Sequence, residues 1–429
     1  MPDGTASVHL FKPKIATVWH EGYRLADFKH DVIAALTVAI IALPLSMAIA
    51  VGSGVSPERG LYTAIIGGFT VSLLSGSRYQ IGGPAGAFIV LVAATVSKYG
   101  VDGLLLAILM SGVLLSLAGI TRLGSLIRHI PHAVAVGFTG GIAVTILASQ
   151  LKDLAGLQLP SPEPGPIIPK IMTLTSAINT VNPAALALGV LTAALIFGLR
   201  RVRPNWPGML IALILVSGWT VLFHTHTETI GSRFGGIPRN LPFPQLPIIS
   251  TARLLQMGPA ALSFTLLGGI ESLLSAKVAD GMTGRRHRSN MELLAQGIAN
   301  IASALFGGIS VTGTIARTAA NIRAGGRTPV AGMLHSLFLM FFMMVAAPLL
   351  VYIPLTALAG VLVTVSWNMV EKAEFAKLLR EWRSAAVLLA TFSLTVIKDL
   401  TMGITAGCLL AALFAIINHI RAEKRVSRP

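Results

Sequence analysis

The chain has 429 residues, 54% hydrophobic and only 12% charged, with a mean hydropathy of +0.76. Soluble domains carry about twice that charged fraction, so a soluble globular protein is set aside in favour of one that threads a bilayer many times. The formal net charge of +16 would suggest nucleic acid in a soluble protein; here the basic residues sit in short loops between apolar runs, no nucleic-acid module is visible, and orientation in a membrane accounts for them.

Residues 1–30 are polar and mildly basic, lack the apolar core and cleavage site of a signal peptide, and are read as a cytoplasmic segment. Apolar runs then follow at 31–51, 61–75, 84–97, 103–121, 132–151, 184–199, 207–223, 258–276, 291–306, 313–324, 329–348, 352–369, 383–397 and 400–418. Many are ~17–22 residues long, enough to cross ~30 Å of hydrocarbon as helix. The expected fold is therefore an all-α polytopic membrane protein of about fourteen spans. The runs at 84 and 313 are short for a crossing. Glycine-rich, partly β-branched sequence precedes each: Tyr79-Gln80-Ile81-Gly82-Gly83-Pro84 and Phe306-Gly307-Gly308-Ile309-Ser310-Val311. The longest polar segments, 152–182 and 224–257, are placed outside, and 419–429 is a short inner tail. Cys408 is the single cysteine, so neither an intrachain disulfide nor a cysteine metal site is expected.

Charge supports both termini inside. Of 33 Lys and Arg, 23 fall in inner segments or at the inner ends of spans and eight in outer loops; the other two are Lys277, just past span eight, and Arg317, within span ten. The chain also repeats weakly. Ile130-Pro131 precedes Gly137 as Ile353-Pro354 precedes Gly360, at spans five and twelve; the short spans are three and ten. Pro and Gly recur by chance in membrane helices, but two correspondences at one odd offset favour a seven-plus-seven inverted repeat. Repeat one would cover 31–223, an extracytoplasmic linker 224–257, and repeat two 258–418.

A half-helix beginning near the midplane points unpaired N–H groups, and roughly half a positive charge, at the bilayer centre. Small residues at both starts would let an anion approach: Pro84, Ala85, Gly86 and Ala87 in one, Thr312, Gly313 and Thr314 in the other. Close helix packing through small residues is the plain alternative. Arg317, one turn into the second half-helix, is a charge in a span and hence a candidate for shaping the anion's potential. Glu271 and Ser275, one turn apart in span eight, are candidates for holding a proton or helping to bind sodium; a structural pair of Glu271 with Arg317 is the alternative. Lower in rank are Phe88 (a cavity wall or simple packing), His335 (a packing histidine rather than a proton relay), Lys398-Asp399 (a local ion pair) and Arg285-Arg286-His287-Arg288 (an orientation signal). No Walker loop, nucleophile elbow or dinucleotide motif appears, so no enzyme, metal centre or cofactor is expected beyond a coupling ion, H+ or Na+.

These residues resemble the sulfate permease (SulP) family. The resemblance covers about 25–420 and is carried by Ala42-Leu43-Pro44-Leu45-Ser46-Met47, Gly60-Leu61-Tyr62-Thr63-Ala64, Ile81-Gly82-Gly83-Pro84-Ala85-Gly86, Glu271-Ser272-Leu273-Leu274, Asp280-Gly281-Met282-Thr283-Gly284, Phe306-Gly307-Gly308-Ile309 and Ile315-Ala316-Arg317-Thr318-Ala319-Ala320-Asn321. It implies inverted repeats split into core and gate domains, homodimers and elevator-like movement. It also implies a substrate site at Leu45 and Met47, Pro84 to Phe88, Glu271, and Ser310, Val311, Thr312, Gly313, Thr314 and Arg317. In bicarbonate members an acid and a hydroxyl matching Glu271 and Ser275 help bind sodium. In the bacterial dicarboxylate branch, nearest in Ile-Glu-Ser-Leu-Leu and Ile-Ala-Arg, coupling is to protons, which points to a bacterial inner membrane. Two departures stand out: Leu45 replaces the glutamine of many members, and with the last span followed only by residues 419–429 the STAS domain of most members is not expected. The expected function is a secondary active carrier of a small anion such as a dicarboxylate, bicarbonate or sulfate. Its rivals are a nucleobase permease of the same fold and a non-transporting, anion-binding or voltage-responsive membrane protein.

Overall fold

The fold is that of a computed structural model, which describes residues 11–124, 131–159, 163–164, 167–204, 206–398 and 400–426. Helix dominates because apolar runs leave backbone groups no partner but their own segment. The first half runs α1 (Lys14–Glu21), α2 (Leu25–Gly52), α3 (Pro57–Tyr62), a π-helical turn (Thr63–Gly67), α4 (Gly68–Leu74), β1 (Gly82–Gly83), a 3-10 turn (Gly86–Phe88), α5 (Ile89–Ile120), α6 (His132–Ala155), α7 (Ile167–Ser176), α8 (Pro183–Val202) and α9 (Gly208–Leu222). The second runs α10 (Ile230–Phe234), α11 (Thr251–Thr283), α12 (Ser289–Leu305), β2 (Thr312–Gly313), α13 (Ile315–Arg323), α14 (Pro329–Leu350), α15 (Leu355–Met369), α16 (Lys372–Leu378), α17 (Trp382–Ile397) and α18 (Leu400–Val426). Among the described residues six helical units are long and apolar enough to cross a membrane: α2, residues 86–120, α6, α8, α11 and α14.

The helices pack in two sets. One holds α2 to α5 and α11 to α14, and the other holds α6, α8, α9, α15, α17 and α18. The glycines of the Pro-to-Gly spacing do the same job twice. Pro131 and Pro354 each stand, extended, just before a helix (α6 and α15). A Cβ on Gly137 would lie 2.5 Å from the Leu388 carbonyl oxygen of α17, and one on Gly360 would lie 2.6 Å from the Gly189 oxygen of α8. Each glycine lets two helix backbones meet. Ile130 lies outside the described residues.

Several helices differ from their apolar runs. Spans three and four join as α5, bent where Gly100 takes φ 69°. The run at 258–276 extends to 33 residues in α11, because Ser250 caps its start and left-handed Gly284 ends it. The polar segments carry helices of their own, α7 and α10, and α11 begins inside the second of them. Lys277 is exposed. Of the Lys398-Asp399 pair, Asp399 lies outside the described residues.

The basic loop 285–288 is more than an orientation signal: it clasps α1. Arg288 donates to the Lys12 carbonyl (2.5 Å) and the Thr17 hydroxyl (3.1 Å), and Lys14 Nζ donates to the Arg286 carbonyl (3.0 Å).

Candidate functional site

The two Gly-rich segments meet. β1 and β2 pair antiparallel, Gly82 opposite Gly313 and Gly83 opposite Thr312. Three of the four strand residues are glycines because nothing larger fits. A Cβ on Gly82 would sit 2.7 Å from Val71 Cβ, one on Gly83 2.0 Å from Arg317 Nη1, and one on Gly313 1.6 Å from Gln80 Nε2. From this crossing the chain leaves through Pro84 and Ala85 into the 3-10 turn and α5, and through Thr314 into α13. Ala85 (φ −118°, ψ 145°) and Thr314 (φ −99°, ψ 125°) are both extended, and no side chain caps either helix start. Uncapped first-turn N–H groups carry the partial positive charge of a helix end, which favours an anion.

The starts differ in their surroundings. A Cβ on Gly86 would be 3.5 Å from Met369 Sδ and 3.6 Å from Ile146 Cδ1, so α15 and α6 of the other set cover it. Ala316, in the first turn of α13, is exposed. Ala85, Ala87 and Phe88 are buried, and Phe88 stacks on Phe264 with centroids 5.9 Å apart. Leu45 and Met47 are buried in α2 just past Pro44, whose missing N–H leaves the Ile40 carbonyl without its helical donor.

Arg317 is 1% exposed and heads the largest fully buried side chains. Its Nη2 donates to Ser46 Oγ (3.1 Å) and the Pro84 carbonyl (3.4 Å), so it reaches from α13 under the start of the other half-helix to α2. Nε and Nη1 have no hydrogen-bond partner among the described residues. A buried guanidinium without a carboxylate keeps its full field. Glu271 does not pair with it: Glu271 is half-buried, and its Oε2 is buried without a partner. The other buried acids contrast with it. Asp31 accepts from the Arg327 N–H (2.8 Å), the Thr328 N–H (3.1 Å) and the Thr328 hydroxyl (2.5 Å). Glu292 accepts from Ser75 Oγ (2.6 Å), the Gly76 N–H (3.0 Å) and Gln296 Nε2 (2.9 Å). Those two are structural; Glu271 has no such employment.

Ser275, buried, donates to Thr318 Oγ1 (3.3 Å). It is Ser272 that meets the crossing, 2.6 Å from Thr312 Oγ1. Ser310 and Val311 turn their polar groups away, into Asn300. Asn300 Oδ1 accepts from Ser310 Oγ (3.2 Å) and the Val311 N–H (3.1 Å), while its Nδ2 donates to the Val311 carbonyl (2.8 Å). Thr314 Oγ1 donates to the Ile81 carbonyl (3.3 Å), and Thr318 Oγ1 accepts from the Ile81 N–H (3.1 Å). The sequence does not single out Asn300, and it marks Gln80, Ser272 and Thr318 only as members of longer runs, with no role at the site. The signal available was a lone amide or hydroxyl in a small-residue helix, which is common in membrane helices and does not name its partner.

The family model for the sulfate permease family matches residues 28–392. The chain belongs to that family. Among its relatives, YvdB of Bacillus subtilis, named as a sulfate transporter, is 43% identical over 92% of this chain and 75% of its own length. The bicarbonate transporter BicA of Picosynechococcus sp. is 30% identical over 93% of this chain and 72% of its own. Among solved structures, the transmembrane domain of a cyanobacterial BicA superposes with a TM-score of 0.81 at 30% identity, covering 89% of this chain and 98% of that one. The murine Slc26a9 anion transporter in its inward-facing state shares the fold, with a TM-score of 0.86 at 19% identity over 97% of this chain and 73% of that one. Membership makes this chain an integral membrane protein of a transporter family, not an enzyme.

Proposed function

We propose that this member of the sulfate permease family is a secondary active carrier of a small anion, bound between the two half-helix starts. The observation that carries the reading is Arg317, a buried guanidinium without a carboxylate, held under both starts. One charge at about 8 Å, through an effective dielectric of about 20, is worth about 2 kcal/mol to a monovalent anion. A neutral nucleobase would gain little from it, so the nucleobase reading is not favoured. The names of the relatives put sulfate and bicarbonate first, with dicarboxylates as the further class to test.

The crossed strands and the twin Pro-to-Gly contacts support fourteen spans in a seven-plus-seven inverted repeat, residues 31–223 and 258–418 joined by an outer linker. Both termini then lie in the cytoplasm of a bacterial inner membrane. The set holding β1 and β2 is the core, the other set is the gate, and the core moves elevator-fashion within a homodimer. Coupling is assigned to Glu271. Two helix ends and Arg317 sum to on the order of +2, and an ionised Glu271 cuts this to about +1, so its protonation favours the anion. The Ser275 hydroxyl donates to Thr318 and keeps its oxygen lone pairs, so proton and sodium are both candidates for the coupling ion and the two gradients separate them.

The test is uptake by purified protein in proteoliposomes against labelled sulfate, bicarbonate and succinate, under proton and sodium gradients. Glu271→Gln should abolish accumulation driven by a pH gradient while sparing anion exchange. Undiminished gradient-driven accumulation in that variant removes the coupling assignment, and no uptake of any anion by the wild type removes the carrier reading.

A further inference from the structure

His335 on α14 has no exposed surface, and neither ring nitrogen has a hydrogen-bond partner among the described residues. The sequence favours a satisfied packing histidine here; the structure buries it unsatisfied. Arg317, equally buried, leaves Nε and Nη1 unpartnered. The Ser336 hydroxyl, beside His335, lies 3.0 Å from the place a Gly68 Cβ would take, and that place is 2.8 Å from the Gly82 carbonyl oxygen. Gly332, one turn earlier, packs on Ile81, since its Cβ would meet Ile81 Cδ1 at 3.1 Å. Arg317 Nη1 rests on Gly83. So α14 lies along residues 81 and 82, and the guanidinium lies against the next residue, Gly83. The neighbouring π-helical turn and α4 bring no titratable side chain to the imidazole.

The donor count leaves a gap. Arg317 keeps three N–H donors on Nε and Nη1, and a neutral imidazole has one donor and one acceptor. Buried polar groups are satisfied by protein or by ordered water, and a buried water needs two to four polar partners. We propose that buried water joins Arg317 to His335 behind the paired strands, and that His335 thereby holds the guanidinium in the orientation that presents its charge to the anion. His335 is a positioning residue, and this part of the inference rests on the anion-site reading; the water itself does not.

The experiment compares His335→Asn, which keeps an acceptor, with His335→Leu, which keeps only bulk. Anion affinity is read from the rise in melting temperature of detergent-purified protein titrated with bicarbonate or sulfate, and the melting temperature without anion reports folding. His335→Asn should stay within about threefold of wild type and His335→Leu should bind about tenfold more weakly, the loss of about one hydrogen bond. In an Arg317→Lys background, which lacks the fork, the effect of His335→Leu should shrink to within about twofold, because the two residues act as a unit. Equal losses in both His335 variants, or the same loss in both backgrounds, overturn the positioning role. A wild type that shows no anion-dependent shift overturns the anion reading and the positioning role with it. The water is judged separately by a high-resolution cryo-EM map: density between Arg317 and His335 upholds it, and an empty gap or direct side-chain contact overturns it.

Discussion

The first crossover, residues 75–88, and the second, residues 306–317, reach the paired strands by similar routes. Each comes off a helix, enters a two-residue strand with a glycine at the crossing and begins an uncapped helix. Their side chains differ. Beyond β1 the first offers Pro84, Ala85, Gly86, Ala87 and Phe88, with no polar side chain. The second offers Thr312, Thr314 and Arg317, and Thr318 just beyond. The backbone dipoles are thus shared between the halves, while full charge comes from one half only. An anion site built this way would draw a generic attraction from both crossovers and have its strength set in the second.

The largest effect is expected where that asymmetry is erased. Arg317→Gln removes the charge and leaves the two helix ends, so anion affinity should fall about 30-fold, the equivalent of about 2 kcal/mol. Ala87→Ser, a polar change on the first start, should move affinity by less than about threefold. Titration of both variants with bicarbonate or sulfate checks the pair; equal losses would show that the two crossovers share the charge-reading role.

Glycine gives a finer cut. Gly83→Ala drives a methyl into Arg317 Nη1, whereas Gly313→Ala drives one into the Gln80 amide. Both should cost stability by about 1–3 kcal/mol, the usual range for overpacking. Only Gly83→Ala should also weaken anion binding, by about tenfold, because only it displaces the charge. Melting temperature and affinity, measured on both variants, separate the outcomes.

Much of this was legible in the sequence, and the parts that were not share a cause. The crossovers showed as two spans too short to cross, each behind a glycine-rich run. Arg317 showed because a charge in a span is costly enough to need a reason. The Pro-to-Gly spacing marked two glycines that both proved to sit against a neighbouring backbone. What escaped was pairing across the fold: Thr318 with Ile81, Asn300 with Val311, and Ser272 with Thr312. Hydroxyls and amides are cheap to place in a helix, so their presence does not reveal a distant partner. Helix length escaped as well, because hydropathy sees the apolar part of α11 and not its polar ends. α7 and α10 escaped for another reason: at 10 and 5 residues they are too short to register as spans.

The clamps on the two lead-ins should differ in strength. Asn300 makes four hydrogen bonds, to Ser310, twice to Val311 and to Gln296, so Asn300→Ala should cost about 2–3 kcal/mol. Asn321 holds the first lead-in through one donor to the Tyr79 carbonyl (2.9 Å), and Asn321→Ala should cost about 1 kcal/mol. Thermal denaturation in detergent ranks them; the reverse order would mean that the first lead-in depends on its amide more than the geometry implies.

The smallest effect concerns the inner end of the first crossover, where α1 is docked. The Lys14 N–H donates to the Ser75 carbonyl (2.9 Å) and the Arg288 N–H to the Gly76 carbonyl (3.0 Å), so α1 and the 285–288 loop together steady the chain entering β1. Partial burial, with Arg288 and Arg78 nearby, lowers the Lys14 ammonium from its ordinary 10.5 to about 8. The docked state therefore prefers the neutral amine, which still donates to the Arg286 carbonyl but no longer meets the two guanidinium groups. Below about pH 8 the ammonium is charged in both states and docking carries the full penalty. Between about 8 and 10.5 the undocked lysine binds more protons than the docked one, so docking strengthens as pH rises. A nitroxide at Trp19→Cys, in a Cys408→Ser background, should become less mobile from pH 7 to pH 9.5, and Lys14→Met should flatten that dependence at the less mobile level. The second crossover has no titrating anchor of this kind among the contacts described, so a label near Phe306 should show no matching change. A parallel change there would mean that the whole bundle responds to pH and that the first lead-in is not singled out.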